Sequence, residues 1–386
     1  MNKLSKINRF DTNKICICLV VVLLAVLLAN VYLLNSIQQG STPQEKVIPP
    51  LPKIEIYALI PDSCSECFDI ATVLPQLAQS TKANVTKQEV VNQKDAGLMI
   101  KEYGVKTLPT VIIKGEIDNT QLSKVFVRVK DALVAKELPP PYFDLESSSV
   151  KGKVKMTLIE SDCKECTDIS FLGKQLSEQA GVFFEKQENL KKDSSEAKEL
   201  IKKYSLKSLP AAIFSQEISA YTQILPALES IATKESDGNY VLRNSPPPYY
   251  ELASNKVVGL VDASFVESSA CEKCLAGEEL KDILSKILGL KFKNARIVDS
   301  SSAEGKDILR KYSIEKIPTA IISEEAKVYP SMKEWAEVGS VEKDGKYVFR
   351  ELEILGNAVE GKKYVVNGTM TEFSSSIEEF EKQSKK

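Results

Sequence analysis

Apolar residues along the chain fall into short runs and helical stripes that recur in one order three times. In the first copy, residues 54–60 form an apolar-rich run, the pattern of a buried strand. Ile70, Val73, Leu74, Leu77 and Ala78 then fall at i, i+3, i+4, i+7 and i+8, one face of a helix. Residues 85–91 predict a second strand, and Ala96, Met99, Ile100 and Tyr103 a second helical face. A third strand is expected over 110–113 and a last helical stretch over about 122–135.

The second copy has strands at 154–159, 182–187 and 211–214, with helical faces marked by Ile169, Leu172 and Leu176 and by Ala197, Leu200, Ile201 and Tyr204. The third has a strand at 257–261, a longer loop, and a helical face of Leu280, Ile283, Leu284, Ile287 and Leu288. It continues with a strand at 292–298, the face Gly305, Ile308, Leu309 and Tyr312, and a strand at 319–322. Strands are also expected at 346–351 and 363–367, followed by a charged tail.

Each copy carries a C-x-x-C motif between its first strand and first helical stretch: Cys64 and Cys67, Cys163 and Cys166, Cys271 and Cys274. Each also carries a Tyr followed six residues later by a Pro: Tyr103 and Pro109, Tyr204 and Pro210, Tyr312 and Pro318. First cysteine to proline is 45, 47 and 47 residues, and the first cysteines are 99 and 108 apart. A period this long means repeated domains, not a solenoid of small units. The copies are joined by Pro139-Pro140-Pro141-Tyr142 and Pro246-Pro247-Pro248-Tyr249, read as stiff extended spacers.

Composition narrows the chemistry. The 386 residues suffice for two to four domains, with 43% apolar and 27% charged residues. A net charge of -2 gives nucleic-acid binding little electrostatic support. There is no histidine, which excludes His-based triads, general bases and metal ligands. Three C-x-x-C pairs resemble zinc half-sites, but each belongs to its own repeat, and no metal or cofactor is expected.

Residues 15–34 are apolar except Asn30, long enough to cross a bilayer. Lys3, Lys6, Arg9 and Lys14 precede them, which places the N-terminus (1–14) in the cytoplasm and the bulk of the chain outside. The alternative is a cleaved signal peptide, against which stand the long apolar core and the lack of a small-x-small site. Cys16 and Cys18 read as apolar residues of this segment or as acylation sites. Residues 35–52 form a proline-rich spacer. Three domains are then expected at 53–142, 150–249 and 255–367, with a polar tail at 368–386.

The order strand, C-x-x-C, helix, strand, helix ending in Tyr, then apolar residue-Pro before a strand resembles the thioredoxin superfamily. Lys101-Glu102-Tyr103-Gly104-Val105-Lys106-Thr107-Leu108-Pro109-Thr110-Val111 is similar to that family's approach to its cis-proline strand. The resemblance covers about residues 53–351 and implies an α/β fold, a mixed sheet flanked by helices, three times over. It implies that Cys64, Cys163 and Cys271 attack and that Cys67, Cys166 and Cys274 resolve. It further implies that Pro109, Pro210 and Pro318 are cis and shape a peptide-binding edge. The sequence departs from the family in three places. Ser63, Asp162 and Ala270 replace its Trp, and Ser-Glu, Lys-Glu and Glu-Lys replace its Gly-Pro. Its buried acid falls at Ala58 and Thr157, with Asp262 a candidate in the third repeat.

With the cysteine at a helix N-terminus, the thiolate needed for exchange is stabilised by unpaired N–H groups. Glu66, Glu165 and Glu272 work against it, so the pairs are expected to be less oxidising than the family's strongest oxidants. The expected activity is membrane-anchored, extracytoplasmic thiol–disulfide exchange with protein partners. The alternatives are a binding scaffold without turnover, and pairs that serve only as staples contributing about 2 kcal/mol each.

Overall fold

The computed structural model describes residues 51–119, 125–136, 138–359 and 361–373. The proposed membrane segment at 15–34, the basic tail before it and the charged tail after 373 lie outside the described residues. Among the described residues, no helix is long and apolar enough to cross a membrane.

The first repeat contains β1 (Lys53–Ile60), α1 (Leu74–Ser80), β2 (Asn84–Asn92), α2 (Gly97–Tyr103), β3 (Thr107–Leu108), β4 (Thr110–Gly115), β5 (Phe126–Val129) and β6 (Ala132–Ala135). Its sheet has the order β2-β1-β4-β6-β5, with β1 parallel to β2 and antiparallel to β4. The apolar run of β1 is explained by burial on both faces. Ile54, Ile56 and Ala58 pack with Ile70 and Leu74 on one side, and Tyr57 and Leu59 pack with Ala96 and Tyr103 on the other. A strand with helices on both faces loses the in-out alternation of a half-exposed sheet.

The second repeat runs β9 (Val154–Glu160), α3 (Phe171–Ala180), β10 (Phe184–Lys191), α4 (Ser195–Lys203), β11 (Ser208–Leu209), β12 (Ala211–Phe214), α5 (Leu225–Ile231), β13 (Thr233–Lys234) and β14 (Tyr240–Leu242). The third runs β17 (Leu260–Glu267), α6 (Gly277–Leu288), β18 (Lys291–Asp299), α7 (Ala303–Lys311), β19 (Lys316–Ile317), β20 (Thr319–Ile322), β21 (Gly339–Val341) and β22 (Tyr347–Phe349). Their sheets, β10-β9-β12-β14-β13 and β18-β17-β20-β22-β21, repeat the order of the first. The described residues divide into two compact bodies: 51–153 with 174–183, and 154–173 with 184–373.

Four expectations are corrected. Over its described part, 125–135, the stretch expected at 122–135 is not helical: Phe126–Val129 and Ala132–Ala135 form a hairpin. Its turn holds Lys130 at φ 54°, a left-handed residue that a helix does not contain. The third repeat has no longer loop, because β17 continues from Leu260 to Glu267, and only three residues then precede Cys271. The triple-proline segments are not uninterrupted extended spacers, since Pro140–Pro141 and Pro247–Pro248 are cis. Finally, each repeat gains an unforeseen three-stranded sheet. In the first, β3 pairs with a hairpin of β7 (Tyr142–Asp144) and β8 (Ser149–Lys151). In the second, β11 pairs with β15 (Tyr249–Glu251) and β16 (Lys256–Val258). In the third, β19 pairs with β23 (Lys363–Val366) and β24 (Thr369–Glu372). Strand pairing thus carries the repeats through to residues 151, 258 and 372.

The tyrosine that ends the second helix of each repeat has one job three times. Tyr103 donates to Asp131 at 3.1 Å, Tyr204 to Asp237 at 2.8 Å and Tyr312 to Asp344 at 2.9 Å. Each aspartate lies in the turn of the hairpin next to the cis-proline strand, and a lysine completes the clasp: Lys114, Lys203 or Lys311. Hydrogen bonds from Lys203 and Lys311, in first place, pull the Asp237 and Asp344 carboxyls down to about 2. A depressed carboxyl contributes stability that is present above its unfolded value near 3.9 and is lost as pH falls toward 2. Asp344→Asn is therefore expected to destabilise the protein at pH 7 by on the order of 1 kcal/mol after solvent screening. It is also expected to flatten stability between pH 4 and about 2. Thermal unfolding across that range checks both, and a variant as pH-sensitive as the parent contradicts the assignment.

Candidate functional site

Each C-x-x-C lies in the turn that leaves the first strand of its repeat. Cys64 and Cys67, Cys163 and Cys166, and Cys271 and Cys274 are disulfide-bonded, with Cα–Cα separations of 5.4, 5.4 and 5.3 Å. The first-repeat and second-repeat cysteines are all half-buried, as is Cys271, whereas Cys274 is buried. Pro109, Pro210 and Pro318 are buried and follow cis bonds from Leu108, Leu209 and Ile317. The next residue pairs with the end of the first strand, Thr110 with Leu59 and Thr319 with Val266. Each proline therefore stands at the sheet end from which its cysteine turn departs. In the second repeat the three residues line one open cleft of about 570 Å³: Cys163, Cys166 and Pro210 share it with Asp162, Lys164 and Lys191.

The cysteines do not sit at a helix N-terminus, contrary to expectation. The first α-helix begins at Leu74, Phe171 and Gly277 in the three repeats, several residues past the second cysteine. Carboxylates accept from N–H groups in the segment between the second cysteine and the first turn of the helix. Asp69 accepts from the Ala71 N–H at 3.0 Å and Asp168 from the Ser170 N–H at 2.7 Å. In the third repeat Glu267 accepts from the Gly277 N–H at 2.6 Å and Glu279 from the Ala276 N–H at 3.0 Å. In the third repeat this capping satisfies the end of α6, whereas in the first Asp69 caps a short 3-10 turn, Ile70–Thr72, that lies between Cys67 and α1. The sequence signal was C-x-x-C-x-Asp in the first two repeats, Cys67-Phe68-Asp69 and Cys166-Thr167-Asp168.

Four carboxylates near the cysteine turns are held in the charged form. Hydrogen bonds from Ser65, then from its own backbone N–H and from Lys153, hold Glu66 below the usual carboxylate range. The Ser170 side chain and then its N–H do the same for Asp168, and Lys362 and the Ala276 N–H for Glu279. Asp299, at the end of β18, is held well below the usual range, first by Ser269 in the loop before Cys271. Fixed negative charge beside a sulfur works against the thiolate. Among the described residues, no acid is buried in the core. Strand register makes Ala58, Leu158 and Phe265 equivalent, and all three are buried. Asp262 is exposed, accepts from the Asn294 amide at 2.8 Å and does not serve as a buried acid.

A parallel pair of strands extended by an antiparallel pair, a C-x-x-C leaving the first strand, and a buried cis-proline entering the third occur together in every repeat. The chain is a tandem array of three thioredoxin-like units. No family model matches the chain, and no curated protein matches it. Among solved structures it is similar to the alkylhydroperoxide reductase component AhpF of Enterococcus faecalis, at 14% identity over 42% of this chain and 81% of that one, with a TM-score of 0.15. It is also similar to ERdj5, at 11% identity over 75% of this chain and 40% of that one, with a TM-score of 0.15. For human ERp44 the identity is 8% over 70% of this chain and 77% of that one, with a TM-score of 0.13. The assignment of the thioredoxin-like units stands on the chain's own strand order and on its cysteines and prolines. Among the described residues, no group of three or more Cys, Asp and Glu side chains could hold a metal ion.

Proposed function

We propose that the chain is a thiol–disulfide oxidoreductase acting on protein disulfides, with Cys64, Cys163 and Cys271 attacking and Cys67, Cys166 and Cys274 resolving. A thiolate of the first cysteine displaces one sulfur of a client disulfide, giving a mixed disulfide and a client thiolate. The second cysteine's thiolate then attacks the first cysteine's sulfur, closes the intramolecular disulfide and releases the second client thiolate. Run backwards, the same steps oxidise a client dithiol. The carrying observation is a half-exposed disulfide in reach of solvent beside a buried cis-proline, clearest in the cleft of Cys163, Cys166 and Pro210. Pro109, Pro210 and Pro318 shape the client edge. Residues 15–34 anchor the protein in the cell membrane with the thioredoxin-like units outside, a reading supported by the basic residues before that run.

The third unit favours a second role, holding clients without turnover. Cys274 is 7% exposed and bridges to Lys363, while the Leu275 N–H donates to the Lys363 carbonyl at 2.8 Å. The experiment that tests the reading is trapping. Cys67→Ser and Cys166→Ser are expected to accumulate mixed disulfides with a polypeptide disulfide client, and Cys274→Ser to accumulate fewer. Absence of any trapped species from all three overturns exchange in favour of the scaffold.

A further inference from the structure

An extended polypeptide reaches a half-buried sulfur most readily by adding as a strand to a free backbone edge. The edge nearest each disulfide is the short strand before the cis-proline, and the chain has already filled it. Leu108 pairs with Phe143, Leu209 with Tyr250 and Ile317 with Val365. The same segments reach the cysteine turn. Phe68, next to Cys67, donates its N–H to the Pro141 carbonyl at 3.3 Å. Thr167, next to Cys166, donates its N–H to Pro248 at 2.7 Å and its hydroxyl to Pro247 at 3.0 Å. In the third unit Lys363 and the cysteine turn exchange bonds, its N–H donating to the Lys273 carbonyl at 3.0 Å. Met370, on the second strand of that hairpin, brings its sulfur to 3.5 Å from Cys271 Sγ.

From this threefold arrangement we infer that the hairpin following each unit occupies the client edge beside the disulfide, and that an extended polypeptide client must displace it. Small disulfides need no edge, and in the second unit they enter by the cleft lined by Cys163, Asn189 and Lys191. The inference rests on the exchange activity proposed above and names the class of partner that is held back. Backbone groups released from β11 by the hairpin are re-satisfied by the client, so the exchange costs no unpaired N–H or C=O.

Hydrogen exchange of the full chain carrying Cys166→Ser tests it. The reduced variant is trapped through Cys163, once with cystine and once with an unfolded polypeptide bearing a disulfide. Amides of residues 249–258 are expected to exchange about tenfold faster in the polypeptide adduct than in the cystine adduct. Equal protection in the two adducts overturns the gate while leaving exchange intact. Failure of both adducts to form overturns the exchange reading and the gate with it. A rate comparison provides a second test that does not depend on trapping. Leu252→Pro removes the N–H that donates to the Lys207 carbonyl at 2.9 Å. It is expected to speed reduction of the polypeptide severalfold and leave cystine reduction unchanged; equal rates with the parent on the polypeptide contradict the inference.

Discussion

Replacing Cys64, Cys163 and Cys271 together by serine brings reduction of a polypeptide disulfide down to the rate of the reductant alone. The serine hydroxyl is no thiolate nucleophile at neutral pH, and without the first sulfur no mixed disulfide forms for the second to resolve. The loss is complete only for the triple change, because each pair leaves its own strand end and none depends on another for its geometry. Among single replacements, Cys163→Ser is expected to cost most, since its pair opens on the cleft, and Cys271→Ser least, since Cys274 is buried. A turbidity assay of reduced client separates these outcomes. A triple variant as fast as the parent contradicts the roles assigned to the cysteines.

Trp335→Ala carries the largest expected effect on stability. This is the chain's one tryptophan, 2% exposed in the core of the third unit. Its ring packs edge-on against Tyr347 at 5.7 Å and tilted against Phe349 at 6.3 Å, and its Nε1 donates to the Ser340 carbonyl at 3.0 Å. Truncation opens a cavity in the core beside β21 and β22 and removes the indole hydrogen bond, costing about 3–5 kcal/mol. At an m-value of about 2 kcal/mol/M in urea, the third unit's transition moves down by roughly 2 M. Circular dichroism follows the variant. Tryptophan fluorescence of the parent reports the third unit alone and identifies its transition. A shift below about 0.5 M is within the spread of surface substitutions and contradicts the packing account.

The core strands and their order were legible because each β1-type run is apolar and each helix carries its stripe: Ile54 and Ile56 face one layer, Tyr57 and Leu59 the other. The site's centre was legible as a spacing, cysteine to proline, that repeats nearly unchanged. What the pattern hid was local. Phe126 and Leu133 looked helical because residues on both arms of a tight hairpin can mimic a helical stripe, and only the left-handed Lys130 breaks it. Asp69 and Asp168 carry no periodic signal of their own, although each accepts a backbone N–H in the segment between its cysteines and the helix. The hairpins over β3, β11 and β19 are pairings between segments roughly 35 to 50 residues apart, and such contacts leave no local periodicity. The Asn367-Gly368 turn, with φ of 48° and 83°, is the exception, a sequence signal for a two-residue hairpin.

The reduction potential of each pair, read by equilibrating the full chain in glutathione and dithiothreitol buffers and counting free thiols at each cysteine by mass spectrometry, tests the central claim most directly. Exchange centres flanked by charged Glu66 and Asp168 and held away from helix N-termini are expected to titrate reversibly. Their midpoints should lie between about -300 mV, where structural disulfides begin, and about -120 mV, where strong oxidants lie. Three midpoints below about -300 mV would make the pairs staples and contradict the account.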